Sequence, residues 1–178
     1  MIRLSAFRPL ASASLILVLA ACSSSGSVEV RKAVTDPIPP GKTVTVEVKR
    51  SANDNPTQGS EDEIQETSRR LKAALFGRLV AEGVFKQVLQ PGELADYKMD
   101  VTLTSADEVS QGARIFLGVM AGSNSLRASV EVVETSSNER IADFSVLGKS
   151  ASHPFSTEAG LDDAVREAVS NIIAQLQY

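Results

Sequence analysis

The sequence predicts an α+β domain: a mainly antiparallel sheet with two amphipathic helices packed on one face, ordered strand, helix, several strands, helix. Three observations carry this reading. Thr43 to Lys49 and Tyr97 to Thr104 each alternate apolar and polar residues, the pattern of half-buried strands. Leu161, Ala164, Val165, Ala168, Val169, Ile172, Ile173 and Leu176 fall at i, i+3, i+4, i+7, i+8, i+11, i+12 and i+15, which is one apolar stripe of a helix. The strand patterns cluster between that helix and an earlier one.

Residues 1–21 read as a leader. Arg3 and Arg8 lie at its start, no acidic residue occurs before Glu29, and Leu10 to Ala21 form a 12-residue apolar stretch broken only by Ser12 and Ser14. Crossing roughly 30 Å of hydrocarbon takes about 20 apolar residues, so this stretch is too short to span. It has the length of the apolar core of an export signal. The stretch ends in Leu19-Ala20-Ala21-Cys22 and runs into Ser23-Ser24-Ser25-Gly26-Ser27. Together these segments resemble a bacterial lipoprotein signal. The resemblance implies cleavage between Ala21 and Cys22, a thioether-linked diacylglycerol on Cys22, and an acyl chain such as palmitate on the new amino group. Several chains anchor a protein stably where one holds it only marginally. Cys22 is the only cysteine, which excludes an intramolecular disulfide. Ser23 stands where an aspartate would resemble an inner-membrane retention signal, so the implied location is the outer membrane, facing the periplasm. Cys22→Ser is expected to leave uncleaved precursor and to remove the acyl mass, as read by intact mass and fractionation. Normal processing of that variant would overturn the reading.

The whole chain carries 18 basic and 22 acidic side chains, and losing Arg3 and Arg8 with the leader takes the remainder to a net charge near −6. Such a domain gains nothing from a phosphate backbone, so no nucleic-acid partner is expected. Electrostatic adhesion to anionic lipid is disfavoured too, which leaves the lipid on Cys22 as the membrane contact.

Residues 22–41 read as a tether, with Asp36-Pro37-Ile38-Pro39-Pro40-Gly41 as its stiff, turn-rich close. Val28, Val30 and Val34 are compatible with a short edge strand inside it. The domain proper is 42–178. Val44, Val46 and Val48 supply the apolar face of its first strand. Ser60 as N-cap and Glu63 at the third helical position form a capping box. The helix they open runs to about Glu82, stops at Gly83, and buries Ile64, Leu71, Ala74, Leu75 and Leu79. Val84 to Leu89 is a short strand closed by Pro91-Gly92. Tyr97, Met99, Val101 and Leu103 line the next. Ser125 to Glu134 and Arg140 to Ser150 then form a hairpin around Thr135-Ser136-Ser137-Asn138, with Leu126, Ala128, Val130 and Val132 on one face. In the last helix Asp162, Asp163, Arg166 and Glu167 are expected to point outward.

Little in the chain suggests catalysis. His153 is the only histidine, so an ordinary zinc site is not expected, and no Gly-x-Ser-x-Gly elbow supports a serine nucleophile. The carboxylates Glu61-Asp62-Glu63 and Asp162-Asp163 sit in first turns of helices, where the helix dipole accounts for them. No phosphate loop or dinucleotide fingerprint occurs. The domain is therefore expected to hold no metal or cofactor and not to be an enzyme. One stretch stands apart, Gln111 to Asn124, an apolar run set among Gly112, Gly118 and Gly122. It reads either as a glycine-bent buried strand or as a contact loop presenting Arg114 and Phe116, with Gly118 and Gly122 shaping it.

Arg114, Gly118, Gly122 and Leu126 followed by an amphipathic strand, a polar turn and another strand resemble the bacterial lipoproteins of domain-of-unknown-function family 4410. The run Leu75-x-x-x-Leu79-x-x-x-Gly83-x-Phe85-x-x-Val88 and the final helix are similar to that family as well, so the resemblance extends from Val44 to Leu176. It implies an envelope location and assigns no catalytic residue. The function expected is that of an accessory or structural component of a cell-envelope assembly or transport system, working by contact with an envelope protein. A binder of lipid or a cell-wall fragment is the second reading, and would use an enclosed apolar pocket. An unfamiliar hydrolase built around His153 is the third.

Overall fold

The computed structural model describes residues 26–51, 61–107, 123–150 and 161–177. In chain order these form β1 (Ser27–Lys32), β2 (Thr43–Arg50), α1 (Glu61–Ala81), β3 (Gln87–Leu89), β4 (Tyr97–Asp107), β5 (Ser125–Glu134), β6 (Glu139–Lys149) and α2 (Leu161–Leu176). The six strands make one sheet in the order β1-β6-β5-β4-β2-β3.

The α+β class is as expected, but the sheet is mixed rather than mainly antiparallel. The pairs β1–β6, β6–β5 and β5–β4 are antiparallel, whereas β4 and β3 each run parallel to β2. The reason is the crossover. α1 carries the chain from the far end of β2 back to its start, so β3 runs parallel to β2, and the turn after β3 returns the chain to the same end for β4. The helix arrangement differs from the expected two helices packed on one face in that the pair divide the sheet and also pack on each other. α1 lies against β2, β3 and β4, α2 against β6 and β5, and the two helices touch each other. They run side by side in the same direction. Arg70 of α1 reaches Asp162 of α2 at 2.8 Å, and two turns on Arg78 donates to Ser170 Oγ at 2.6 Å.

Burial follows the alternation read from the sequence. Val44 and Val46 of β2, Tyr97, Met99, Val101 and Leu103 of β4, and Leu126, Ala128, Val130 and Val132 of β5 are all core residues. In β4 the next buried residue is Ala106, because a bulge between Leu103 and Ser105 advances the phase by one. All eight stripe positions of α2 are buried. In α1, Ile64, Leu71, Leu75 and Leu79 are buried with Thr67 beside them, while Ala74 is only partly covered. Ser60 and the side chains of Glu61 to Glu63 lie outside the described residues, so the capping box does as well. At the other end of α1, Gly83 takes φ +70° and its N–H bonds to the Val80 carbonyl at 3.0 Å, a left-handed stop that glycine adopts at little cost.

The two ends of the sheet differ. At one, β1 begins, β5 begins, β2, β4 and β6 finish, and both helices start; we call it the Gly26 end. The connections 52–60, 108–122 and 151–160 all leave from it. At the opposite, Asp96 end lie the turns with Gly92 at φ +97° and Asn138 at φ 56°, and the longer connection 33–42 that crosses from β1 to β2. Residues 27–32 of the expected tether are an edge strand on β6, with Ser27 opposite Leu147.

Candidate functional site

The connection that carries Arg114, Phe116, Gly118 and Gly122 leaves the sheet at Asp107 and returns at Asn124. Those four residues lie outside the described residues, as do Ala21, Cys22 and His153. Asn124 and Ser150 are buried at the end of the sheet where that connection returns, the Asn124 N–H donating to Ser150 Oγ at 3.0 Å and the Ser150 N–H to the Asn124 carbonyl at 2.9 Å. Of the acidic first-turn residues of α2, Asp162 pairs with Arg70 and Asp163 with Arg166 at 2.9 Å. These pairings are structural. Glu167 does not point outward as expected. Its carboxylate accepts the backbone N–H of Lys149 at 2.8 Å and that of Gly26, tying α2 to the end of β6 and the start of β1.

Two constellations that sequence reasoning missed lie on the described surface. The first is at the Asp96 end. Asp96 directly precedes β4, and its Oδ2 accepts from the Thr43 N–H and hydroxyl, each at 2.9 Å, while its Oδ1 takes the Lys42 ammonium at 2.9 Å. Its own N–H donates to Thr43 Oγ1 at 3.1 Å, and its carbonyl accepts from the Thr135 N–H at 2.8 Å. One residue thus joins the starts of two parallel strands to the β5–β6 turn. Beside it is an open cleft of about 340 Å³, lined by Lys42, Thr43, Leu94, Asp96, Glu134 and Ser136 among others. Leu94 stands 94% exposed on the turn closed by Gly92. The cleft is open and its lining mixes polar and apolar surface, unlike the enclosed apolar pocket that a ligand binder would use. An acidic residue immediately before a strand, after a Pro-Gly turn, is the one local signal for it.

Hydrogen bonds from Lys42 and Thr43 hold the Asp96 carboxyl at about 2. The folded value lies below the unfolded one, near 3.9, so the contribution is complete above about pH 4 and disappears as the pH falls toward about 2. Asp96→Asn is expected to lower stability at neutral pH and to flatten the acid limb of a stability-against-pH curve in that window. An unchanged acid limb would defeat the assignment.

The second constellation crosses the sheet. Glu47 of β2, Asp100 of β4, Glu131 of β5 and Asp143 of β6 stand opposite one another in register. Like charges facing across strands repel, and cations from neighbouring positions offset them. Lys49 lies 2.9 Å from Glu47, Lys98 2.8 Å from Asp100, and Arg140 2.9 Å from Glu131. Asp143 takes Arg31 of β1 at 2.6 Å and Arg140 at 3.1 Å, and the hydrogen bond from Arg31 holds its carboxyl below the usual range. Among the described residues no group of three or more histidine, cysteine or acidic side chains is placed to hold a metal ion. The row is a ladder of ion pairs.

A helix-backed mixed sheet bearing a charged ladder defines the class by architecture. Within it, the chain belongs to the family described as Domain of unknown function (DUF4410), whose sequence profile matches residues 29–154. The match begins in β1, ahead of the expected Val44, and ends before α2. The structure is similar to the PelC dodecamer from Paraburkholderia phytofirmans, with TM-score 0.59 and 12% identity over 85% of this chain and 97% of that one. It is also similar to lipoprotein GNA1162 from Neisseria meningitidis, with TM-score 0.44 and 14% identity over 76% of this chain and 99% of that one. At these identities the likeness to PelC concerns the fold alone, and the second carries no argument. No curated protein matches the sequence.

Proposed function

We propose that this domain is a lipid-anchored component of a bacterial envelope assembly or transport system, seated at the periplasmic side of the outer membrane and working by protein–protein contact without catalysis. The observation that carries the reading is the charged sheet face. Thr45, Glu47, Thr102, Thr104, Ser129 and Ser145 alternate with the core positions of four strands and stay partly exposed. No described helix takes this face as its packing surface, and its partly exposed threonine and serine hydroxyls leave hydrogen-bonding groups for a partner to meet. The Leu19 to Cys22 signal supports the anchor, and the neighbour's dodecameric state supports assembly from several copies of such a fold. A photo-crosslinking residue at Thr102 or Ser129 is expected to yield a discrete adduct in intact cells, with one envelope protein or a second copy. The same residue at Ala73, exposed on α1, is expected to yield none. Equal adducts at all three positions, or none at any, would overturn the reading.

A further inference from the structure

The described chain is held in place from its first residue, Gly26. Gly26 is packed onto β6: a Cβ there would lie 2.0 Å from the Leu147 carbonyl oxygen and 2.9 Å from Asn171 Nδ2. Its N–H is taken by Glu167, whose other oxygen holds the end of β6, and from Ser27 onward the chain is in the ladder. Four residue steps separate Cys22 from Gly26, which span about 14 Å at full extension. A lipid on Cys22 therefore brings the Gly26 end of the sheet close to the bilayer. β6 has 11 residues, and at about 3.3 Å per residue it places the opposite end roughly 35 Å further along the strands. The remaining question is whether the domain stands or lies. Its net charge near −6 after loss of the leader repels an anionic leaflet, and the pose that apposes least of its surface is end-on.

We propose that the Gly26 end, where β4 and β6 finish and both helices start, faces a phospholipid surface, and that the Asp96 end with Leu94 and Ser136 points away from it. This orientation rests on the lipid anchor of the proposed function. The test uses the mature lipidated protein in vesicles of phosphatidylethanolamine and phosphatidylglycerol carrying a headgroup quencher. With Cys22 lipidated, a cysteine introduced at Arg127, Leu94 or Ser136 is the sole free thiol for a fluorophore, and all three positions are exposed. Quenching is expected to be several-fold stronger at position 127, near the Gly26 end, than at 94 or 136. Equal quenching at the three positions means the domain lies flat and overturns the orientation, as does the reverse order. Loss of flotation with the vesicles, together with absence of acyl mass, overturns the anchor itself, and that result is distinct from the other two.

Discussion

Val169→Asp is expected to abolish cooperative thermal unfolding or to bring the midpoint close to ambient temperature. Val169 is fully buried in the stripe of α2, among Val165, Ala168, Ile172 and Ile173. A carboxylate there has no cation to meet, and an unpaired buried charge costs several kcal/mol. Domains typically hold only about 5–15 kcal/mol in total. The comparison variant needs care. Asn171 is off the stripe, yet its Nδ2 is buried without a hydrogen-bond partner and lies beside Gly26, so Asn171→Asp does not isolate the stripe. Ala174 is exposed, and Ala174→Asp is expected to cost only about 1 kcal/mol, from lower helix propensity and a carboxylate in the last turn. Equal losses from the two aspartates in a thermal melt would mean that α2 does not cover the sheet.

Gly148→Val is the second large effect. Gly148 lies in β6 directly beneath α2, and a Cβ on it would sit 2.0 Å from the Ala164 carbonyl oxygen and 2.8 Å from the Ala168 nitrogen. Both obstacles are helix backbone, which cannot rotate away as a side chain does. Overpacking usually costs about 1–3 kcal/mol, and here a whole helix must lift, so the upper part of that range applies. For a domain of this size about 3 kcal/mol corresponds to a fall in Tm of roughly 6–12 °C. Gly77 gives the opposite sign. It lies on the exposed side of α1 with nothing within 4 Å of a would-be Cβ, and Gly77→Ala is expected to stabilise by about 0.5–1 kcal/mol. A valine at 148 that left Tm unchanged would show that β6 and α2 are not in backbone contact.

These two positions also show what a single sequence can and cannot reveal. Val169 is readable because eight apolar residues at helical spacing fall on one stripe of α2, each adding to the same signal. The strand faces of β4 and β5 were readable for the same reason at period two, until the bulge near Ser105 shifted the phase. Direction was not readable. Val44, Val46 and Val48 alternate identically whether β2 pairs parallel or antiparallel, so only the crossover through α1 decides it. Gly148 gave no periodic signal, since a lone strand glycine looks the same over open space and under a helix. Glu167 misled for a related reason: off the stripe it reads as solvent-facing, but its long side chain reaches two backbone N–H groups at the sheet's end. The Asp96 cluster joins three segments distant in sequence, and no local pattern announces such a meeting.

The pairing of β1 with β6 bears on when the domain can fold. Ser27 meets Leu147 and Val30 meets Phe144, partners separated by more than a hundred residues. Loop closure over that distance is entropically costly, and topologies rich in such contacts fold slowly. The first strand to emerge from any N-to-C delivery of the chain must wait for nearly the last. Until Glu139 to Lys149 arrives, β1 has no edge to join, and the Gly26 N–H waits longer still for Glu167. Delivered from its N-terminus, the chain therefore keeps β1 without its sheet partner until residues 139–149 have followed.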